Sequence, residues 1–285
     1  WARPDMNIYA GLSVGALDGA DLAYQWQGGG ARWQAKAFIG NGRIRTPAKN
    51  GQPEGDFPLD IVRGLNIQRE QDGLILQGTL ARTRTGLGAA YPGGVLGQGL
   101  AQAQLVPIPQ VAREAAQLAA RLDPEHGSVN YLALGASFER SDWVLAAEWA
   151  RLTSRLSYAN QTLAYASVGR RIGPATAYVT AGTARSTRAQ TPEPQWAAQI
   201  APVFGPFAAQ ALQVLGSGAA LSLNNQLRQQ SLGLGLRWDI DAQMAIKLQW
   251  DRFAVAAGGA GPLWMLPGSP AARVRVLTLG LDFVF

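Results

Sequence analysis

The stretch that decides the fold is AARVRVLTLGLDFVF, residues 271–285. Counting back from Phe285, every second residue as far as Leu277 is large and apolar, whereas the residues between them include an acid, a glycine and a threonine. Because alternate side chains of a β-strand point to opposite faces, this pattern predicts a strand with one apolar face and one mixed face. Such a strand either packs against a second layer in a soluble sheet or shows its apolar face to lipid in a transmembrane barrel.

The composition of the chain favours the barrel. Charged residues make up 15% of the 285 residues, against about 25% in a typical soluble domain. Apolar residues make up 47%, but no stretch of about 18 residues lacks charged and strongly polar side chains, which argues against transmembrane helices. Low charge without long apolar runs suits a barrel, where apolar side chains occupy alternate positions.

Alternation with a period of two predicts about twelve strands. Short turns separate most of them, and Asp18-Gly19 is predicted to be the tight turn between the first two. The predicted strands are 6–16, 21–27, 32–41, 59–70, 74–84, 129–139, 143–153, 161–172, 175–185, 227–239, 243–253 and 276–285.

Two long connections interrupt the strands. Residues 85–127 form a long loop whose second half, Gln110–Leu122, has apolar residues at helical spacing, and residues 186–225 form another with a helical candidate at Phe207–Leu215. Up-and-down strands place both long connections at one end, together with the short connections after the first and seventh predicted strands, and the remaining short turns at the other end. Four tryptophans lie beside the short turns at positions of the apolar face, as in an interfacial aromatic girdle: Trp26, Trp33, Trp143 and Trp238.

These features resemble a Gram-negative outer-membrane porin. The resemblance rests on the final strand with its terminal Phe285, on the hairpin pattern and on the one-sided loops. Within the segment Trp1–Arg84, the distinctive pieces are Arg3-Pro4, Asp18-Gly19-Ala20-Asp21 and Arg63-Gly64-Leu65-Asn66. The resemblance implies a single transmembrane β-barrel domain over residues 1–285 with about 12 strands. The alternative is 14–16 strands, with N-terminal strands missing from this chain. The start at Trp1 is interpreted as that of a processed chain or a fragment.

The resemblance further implies a passive outer-membrane channel for small hydrophilic solutes, without catalysis or a cofactor. Lipopolysaccharide and other outer-membrane lipids are the expected surroundings, and a homotrimer the expected assembly. No basic run with stacking aromatics is present, so nucleic acid is not an expected partner.

A channel of this kind needs fixed charges along a wet lumen. The candidates at polar-face positions are Lys36, Glu148, Arg171, Arg237, Lys247, Asp251 and Asp282. The loop 85–127 would add Arg113, Glu114 and Arg121 if it folds inward as a constriction; the alternative is an extracellular cap. Because the cations outnumber the acids in these two sets, a modest anion preference is expected. The alternative for each wall charge is a structural ion pair.

Two other functions compete with the channel. The translocator barrel of an autotransporter has a similar strand number and terminal aromatic, but it would need a helix before the first strand, and the five residues before Met6 cannot form one. A lipid-modifying enzyme would need a Ser–His pair at the lipid-facing rim. His126, the one histidine, lies near Ser128 but in a Pro- and Gly-bounded turn, which favours a solvated loop residue. The chain has no cysteine, which excludes thiolate metal sites and disulfides.

Overall fold

A computed structural model of the chain describes residues 14–46, 55–85, 95–122, 127–154, 160–187, 190–224, 226–257, 259–260 and 270–283. Eleven strands form one antiparallel sheet in which each strand pairs with the next along the chain, so the predicted all-β, up-and-down class is confirmed. In the described ranges, β1 and β12 end the order and are not paired with each other. The strands are β1 (Val14–Gly28), β2 (Ala31–Thr46), β3 (Gly55–Gln71), β4 (Leu74–Thr85), β5 (Gly127–Arg140), β6 (Trp143–Ser154), β7 (Gln161–Ile172), β8 (Ala175–Ser186), β9 (Gln226–Asp239), β10 (Met244–Val255) and β12 (Ala272–Phe283), with the two-residue β11 (Gly259–Ala260) parallel to the start of β9.

The predicted turn at Asp18-Gly19 is wrong. β1 continues through both residues, with Gly19 opposite Gly40 on β2. A Cβ on Gly19 would lie 2.1 Å from the carbonyl oxygen of Ile39. Glycine is therefore required here for the close approach of two strands, and the predicted second strand is the second half of β1.

Three predictions concern residues outside the described ranges. They are the greater part of the predicted first strand, residues 6–13, the loop histidine His126 and the terminal Phe285.

The connections alternate between short and long along the chain. Five short connections join the strands at one end of the sheet, which we call the turn end: residues 29–30, 72–73, 141–142, 173–174 and 240–243. Gly29 and Gly30 adopt φ angles of 61° and 73°, which glycine adopts without strain. The remaining connections lie at the opposite end of the strands, which we call the loop end. The predicted one-sided arrangement of the long loops is thus present.

The described parts of the two long connections contain three helices. They are α1 (Val95–Ala103) and α2 (Pro109–Leu122) between β4 and β5, and α3 (Trp196–Leu223) between β8 and β9, with a kink at Gly205. α2 corresponds to the predicted helix, α1 was not predicted, and α3 is longer than its candidate. The helices share a core of their own, which includes the fully buried Leu100, Val111, Trp196 and Ile200. No helix in the described residues is both long and apolar enough to span a membrane.

Candidate functional site

One face of the sheet carries large apolar side chains that are exposed on strand after strand; we call it the apolar face. In β12, burial alternates residue by residue from Ala272 to Leu281, and Leu277, Leu279, Leu281 and Phe283 are each at least 59% exposed. Leu248 on β10 faces Leu279 on one side and Leu236 of β9 on the other. Exposed members on the other strands are Leu22 and Tyr24 (β1), Ile39 (β2), Leu65 and Ile67 (β3), Leu76 and Leu80 (β4), Leu134 (β5), Leu145 (β6), Val168 (β7) and Val179 (β8).

The exposed apolar side chains of this face form a continuous band, which we call the apolar band, whereas the exposed apolar patches of soluble monomers rarely exceed a few hundred Å². It crosses eleven strands without interruption, because the strand register places these side chains side by side. A surface of this kind requires an apolar environment.

The predicted aromatic girdle lies at the turn end of the apolar face. The rings of Trp26 and Trp33 stack with their centroids 5.9 Å apart, and the Arg69 guanidinium lies 5.8 Å from the Trp33 ring. Arg170 lies 5.5 Å from the ring of Trp143 in the same way. An apolar ring beside a cation suits a membrane–water interface, where one side of a residue is dry and the other is wet.

The opposite face of the sheet is mainly polar, and all seven predicted wall residues lie on it. Lys36 faces Asn66, and Lys247 faces Arg237 on one side and Gly280 on the other. Alternation along each strand assigns Glu148, Arg171, Asp251 and Asp282 to the same side. We call it the polar face.

Most charges of the polar face lie in ion pairs, several of them with partners that the sequence did not single out. Lys36 Nζ lies 3.1 Å from Asp21 Oδ2, and Arg171 pairs with Glu139. Near the turn end of β9, Arg237 Nε lies 2.7 Å from Asp239 Oδ1. Asp282 joins the same group, since it pairs with Lys247 and lies 3.8 Å from Arg237 Nη1. These side chains are mostly about half exposed, so they form a charged wall in contact with solvent.

The complete set of polar-face charges changes the count on which the expected anion preference depended. On the described strands, seven acids accompany five cations on this face. The acids are Asp21, Glu70, Glu139, Glu148, Asp239, Asp251 and Asp282; the cations are Arg32, Lys36, Arg171, Arg237 and Lys247. The wall therefore has no surplus of positive charge.

Asp251 differs from the other wall residues because it is buried, with 6% of its surface exposed. Gln249 Nε2 donates to both of its carboxylate oxygens at 3.0 Å, and Tyr178 Oη donates to Gln249 Oε1 at 2.7 Å. Gly233 and Gly235 leave room for these side chains above β9: a Cβ on Gly235 would lie 2.0 Å from Tyr178 Cζ. Asp251 thus belongs to a packed hydrogen-bonded network on the polar face.

Part of the polar face is apolar, a feature that the sequence did not reveal. Near the loop end, six buried side chains of this face form a cluster: Val129, Ala133, Ala150, Leu152, Leu163 and Ala184. Wall charges are therefore concentrated nearer the turn end.

The three candidates in the first long loop lie on α2. Glu114 Oε2 accepts a hydrogen bond from Trp196 Nε1 of α3 at 2.8 Å. Arg121 Nη1 donates to Thr191 Oγ1, before α3, at 3.1 Å, and both Arg113 and Arg121 are exposed. The two long loops are therefore joined as one helical unit. In the described residues, no group of three or more His, Asp or Glu side chains is placed to hold a metal ion.

Comparison with known proteins gives little further guidance. No protein-family model matches the chain, and no curated protein is similar to it. A crystal structure of a variant of OccD1 (OprD) is similar over 92% of this chain and 68% of that one, with a TM-score of 0.39 and 8% sequence identity. Because this likeness is too distant to bear on function, the function must be inferred from the two faces of the sheet.

Proposed function

We propose that the chain forms a closed β-barrel in the Gram-negative outer membrane and acts as a porin, with a water-filled lumen for passive diffusion of small hydrophilic solutes. The observation that supports this most directly is the uninterrupted exposed apolar face opposite a charged face. In lipid the apolar face needs no second layer of protein, and in a closed barrel the charged face lines an aqueous interior.

Closure is part of this proposal. Unpaired backbone N–H and C=O groups have no water to bind in the hydrocarbon region, so a membrane-spanning sheet cannot keep open edges. The eleven strands of the antiparallel sheet contain 12 to 17 residues, and about 9–11 tilted residues are enough to cross a bilayer. Short turns face the periplasm in such barrels, so the turn end is assigned to that side and the loop end to the outside.

We further propose that the helical unit narrows the entrance of the lumen. The unit connects β4 with β5 and β8 with β9, so it is anchored at two places on the loop end. The contacts of Glu114 and Arg121 between the two loops favour a fixed body over two independent loops. The alternative is a cap that lies outside the path of the solutes.

The balance of charges on the polar face leads us to propose weak selectivity. With acids slightly in excess on the described wall, we expect a small preference for cations at low salt, where fixed charges are least screened. A homotrimer is the proposed assembly, and the mass of the detergent-solubilised protein tests it.

Swelling of liposomes tests the proposed diffusion of solutes. Liposomes that contain the refolded protein should swell in isotonic solutions of small sugars, at a rate that falls steeply as the sugar becomes larger. Protein that is folded and inserted but admits no sugar would contradict a porin and favour a barrel with another task.

A further inference from the structure

The loop end of the apolar face carries arginines that face each other across neighbouring strands. Three facing pairs are set by the strand register: Arg63 with Arg82, Arg185 with Arg228, and Arg252 with Arg275. Like charges placed directly opposite each other destabilise a sheet. Their repetition on strands far apart in the sequence therefore calls for a compensating interaction.

These arginines lie immediately beside the apolar band. Arg63 and Leu65 are two residues apart on β3 and share a face, as do Arg82 and Leu80 on β4. The same spacing relates Arg275 to Leu277 on β12. We call the set the arginine belt; its described members from β3 onwards are Arg63, Arg82, Arg84, Arg151, Arg185, Arg228, Arg252, Arg273 and Arg275.

Few acids accompany the belt. Its part of the apolar face contains Asp18 and Asp60 among the described residues, and no ion pair is found there for Arg63, Arg151 or Arg275. Most belt side chains are exposed. The chain has a formal net charge of +6. This excess of basic residues is therefore concentrated on the apolar face of the sheet and not on the polar face.

A groove on this surface brings the arginines and the apolar band together. It has a volume of about 660 Å³, and three arginines and three leucines are among its lining residues: Arg63, Arg82 and Arg151 beside Leu65, Leu80 and Leu132. A second cavity, of about 1190 Å³, opens at the loop ends of β8 to β12 and includes Arg185, Arg228 and Arg273 in its lining.

A guanidinium group binds phosphate through two parallel charge-assisted hydrogen bonds, and its long stem can lie on apolar surface while the charge stays at a polar interface. A ligand that satisfies both halves of the groove must carry phosphate groups directly next to acyl chains. Free phosphate would engage the arginines but leave the leucines uncovered.

We propose that the arginine belt binds the phosphate groups of a phosphorylated glycolipid of the outer leaflet, with the chemistry of lipid A, while its acyl chains lie on Leu65, Leu80 and Leu132. The phosphates neutralise the facing arginine pairs. This inference depends on the proposed insertion in the outer membrane and agrees with the assignment of the loop end to the outside.

The test compares two triple variants that remove the same charge from opposite ends of the apolar face. One variant carries Arg63→Gln, Arg82→Gln and Arg151→Gln. The control carries Arg69→Gln, Arg140→Gln and Arg170→Gln, which alter the turn end of the same face. Native mass spectrometry of each protein in detergent micelles measures the binding of diphosphoryl lipid A, of phosphatidylethanolamine and of inorganic phosphate.

We expect the loop-end variant to bind diphosphoryl lipid A about tenfold or more weakly than the unchanged protein, and the control variant to bind it as the unchanged protein does. Equal loss in both variants, or no loss in the first, would overturn the proposal. So would inorganic phosphate that binds with the same arginine dependence and displaces the lipid, since the site would then serve a free anion. Conductance in planar bilayers, recorded for the same samples, tests the proposed porin function separately. Loop-end variants that conduct and still bind lipid A normally would contradict lipid binding by the arginine belt but not the porin function.

Discussion

Leu134 on β5 and Gln77 on β4 lie at almost the same height in the sheet but project from opposite faces. Leu134 faces Gly78 and is 54% exposed on the apolar face. Gln77 faces Gly135 and is exposed on the polar face. Two neighbouring positions therefore sample the two environments that the proposed barrel separates, lipid and water.

Substitution of each by arginine tests this separation. A charged side chain on the lipid face near the middle of the bilayer costs about 2–4 kcal/mol, whereas a lumen position tolerates charge. We expect Leu134→Arg to lower the free energy of unfolding in lipid vesicles by that amount, measured by urea titration, and Gln77→Arg to change it by less than about 1 kcal/mol. Equal losses of unfolding free energy would show that both faces are in contact with the same environment.

Removal of the helical unit tests whether it narrows the lumen. Thr85 faces Gly127 directly, and Ser186 Oγ accepts a hydrogen bond from Leu227 N at 2.8 Å, so short linkers can replace residues 86–126 and 187–226. Both segments must be removed together, because the buried Trp196 and Ile200 of α3 pack against α1 and α2.

We expect the single-channel conductance of this variant to rise several-fold, since a wider entrance lowers the electrical resistance of the pore. A variant with a short linker in place of residues 155–159, at the same end, serves as the control and should conduct as the unchanged protein does. Unaltered conductance after removal of the helices would identify them as an external cap.

The ion pair between Asp21 and Lys36 gives a test of selectivity with a built-in control. Asp21→Asn and Lys36→Gln break the same 3.1 Å contact but change the wall charge in opposite directions. Reversal potentials across a gradient of dilute salt should shift toward anions for the first variant and toward cations for the second. At about 1 M salt, where screening acts over about 3 Å, both shifts should nearly vanish. Shifts of the same sign would indicate that these side chains act on pore shape and not through charge.

Gly235 and Tyr178 provide a test of packing on the polar face. A methyl group at Gly235 would displace the Tyr178 ring and break its hydrogen bond to Gln249. Overpacking and loss of a buried hydrogen bond together suggest that Gly235→Ala lowers the free energy of unfolding by about 2–3 kcal/mol.

The same substitution in a Tyr178→Ala background should cost less than about 0.5 kcal/mol, because the steric conflict is gone. Urea titrations of the four proteins of this cycle measure the coupling. Additive effects of the two substitutions would contradict the proposed contact.

The sequence predicted a strand well only where apolar and polar residues alternate regularly along it. β9, β10 and β12 carry bulky apolar residues at alternating positions, and their faces followed directly, although β12 begins at Ala272 and not at the predicted Val276. The Asp18-Gly19 pair misled because its local turn propensity is outweighed by the pairing of Gly19 with Gly40. α1 was missed because Gly97 and Gly99 weaken its helical pattern, although Gly99 is needed for the close approach of Leu215.

For the candidate site, the alternation of residues along a strand predicts only the face on which each side chain lies. Alternation assigns Lys36 and Arg237 to the polar face, but their partners Asp21 and Asp239 depend on strand register and rotamers, which one sequence does not specify. The burial of Asp251 likewise depends on side chains from neighbouring strands that lie over glycines. The arginine belt became recognisable only when the facing pairs were known.

Recordings from planar lipid bilayers test the central claim most directly. Protein refolded from urea into detergent and added to one side of the bilayer should produce discrete, uniform conductance steps. Leu134→Arg should reduce the frequency of these insertion events, while Gln77→Arg leaves it unchanged. Protein that stays monodisperse and folded in buffer without detergent, and produces no steps, would contradict a membrane barrel and require a second layer over the apolar face.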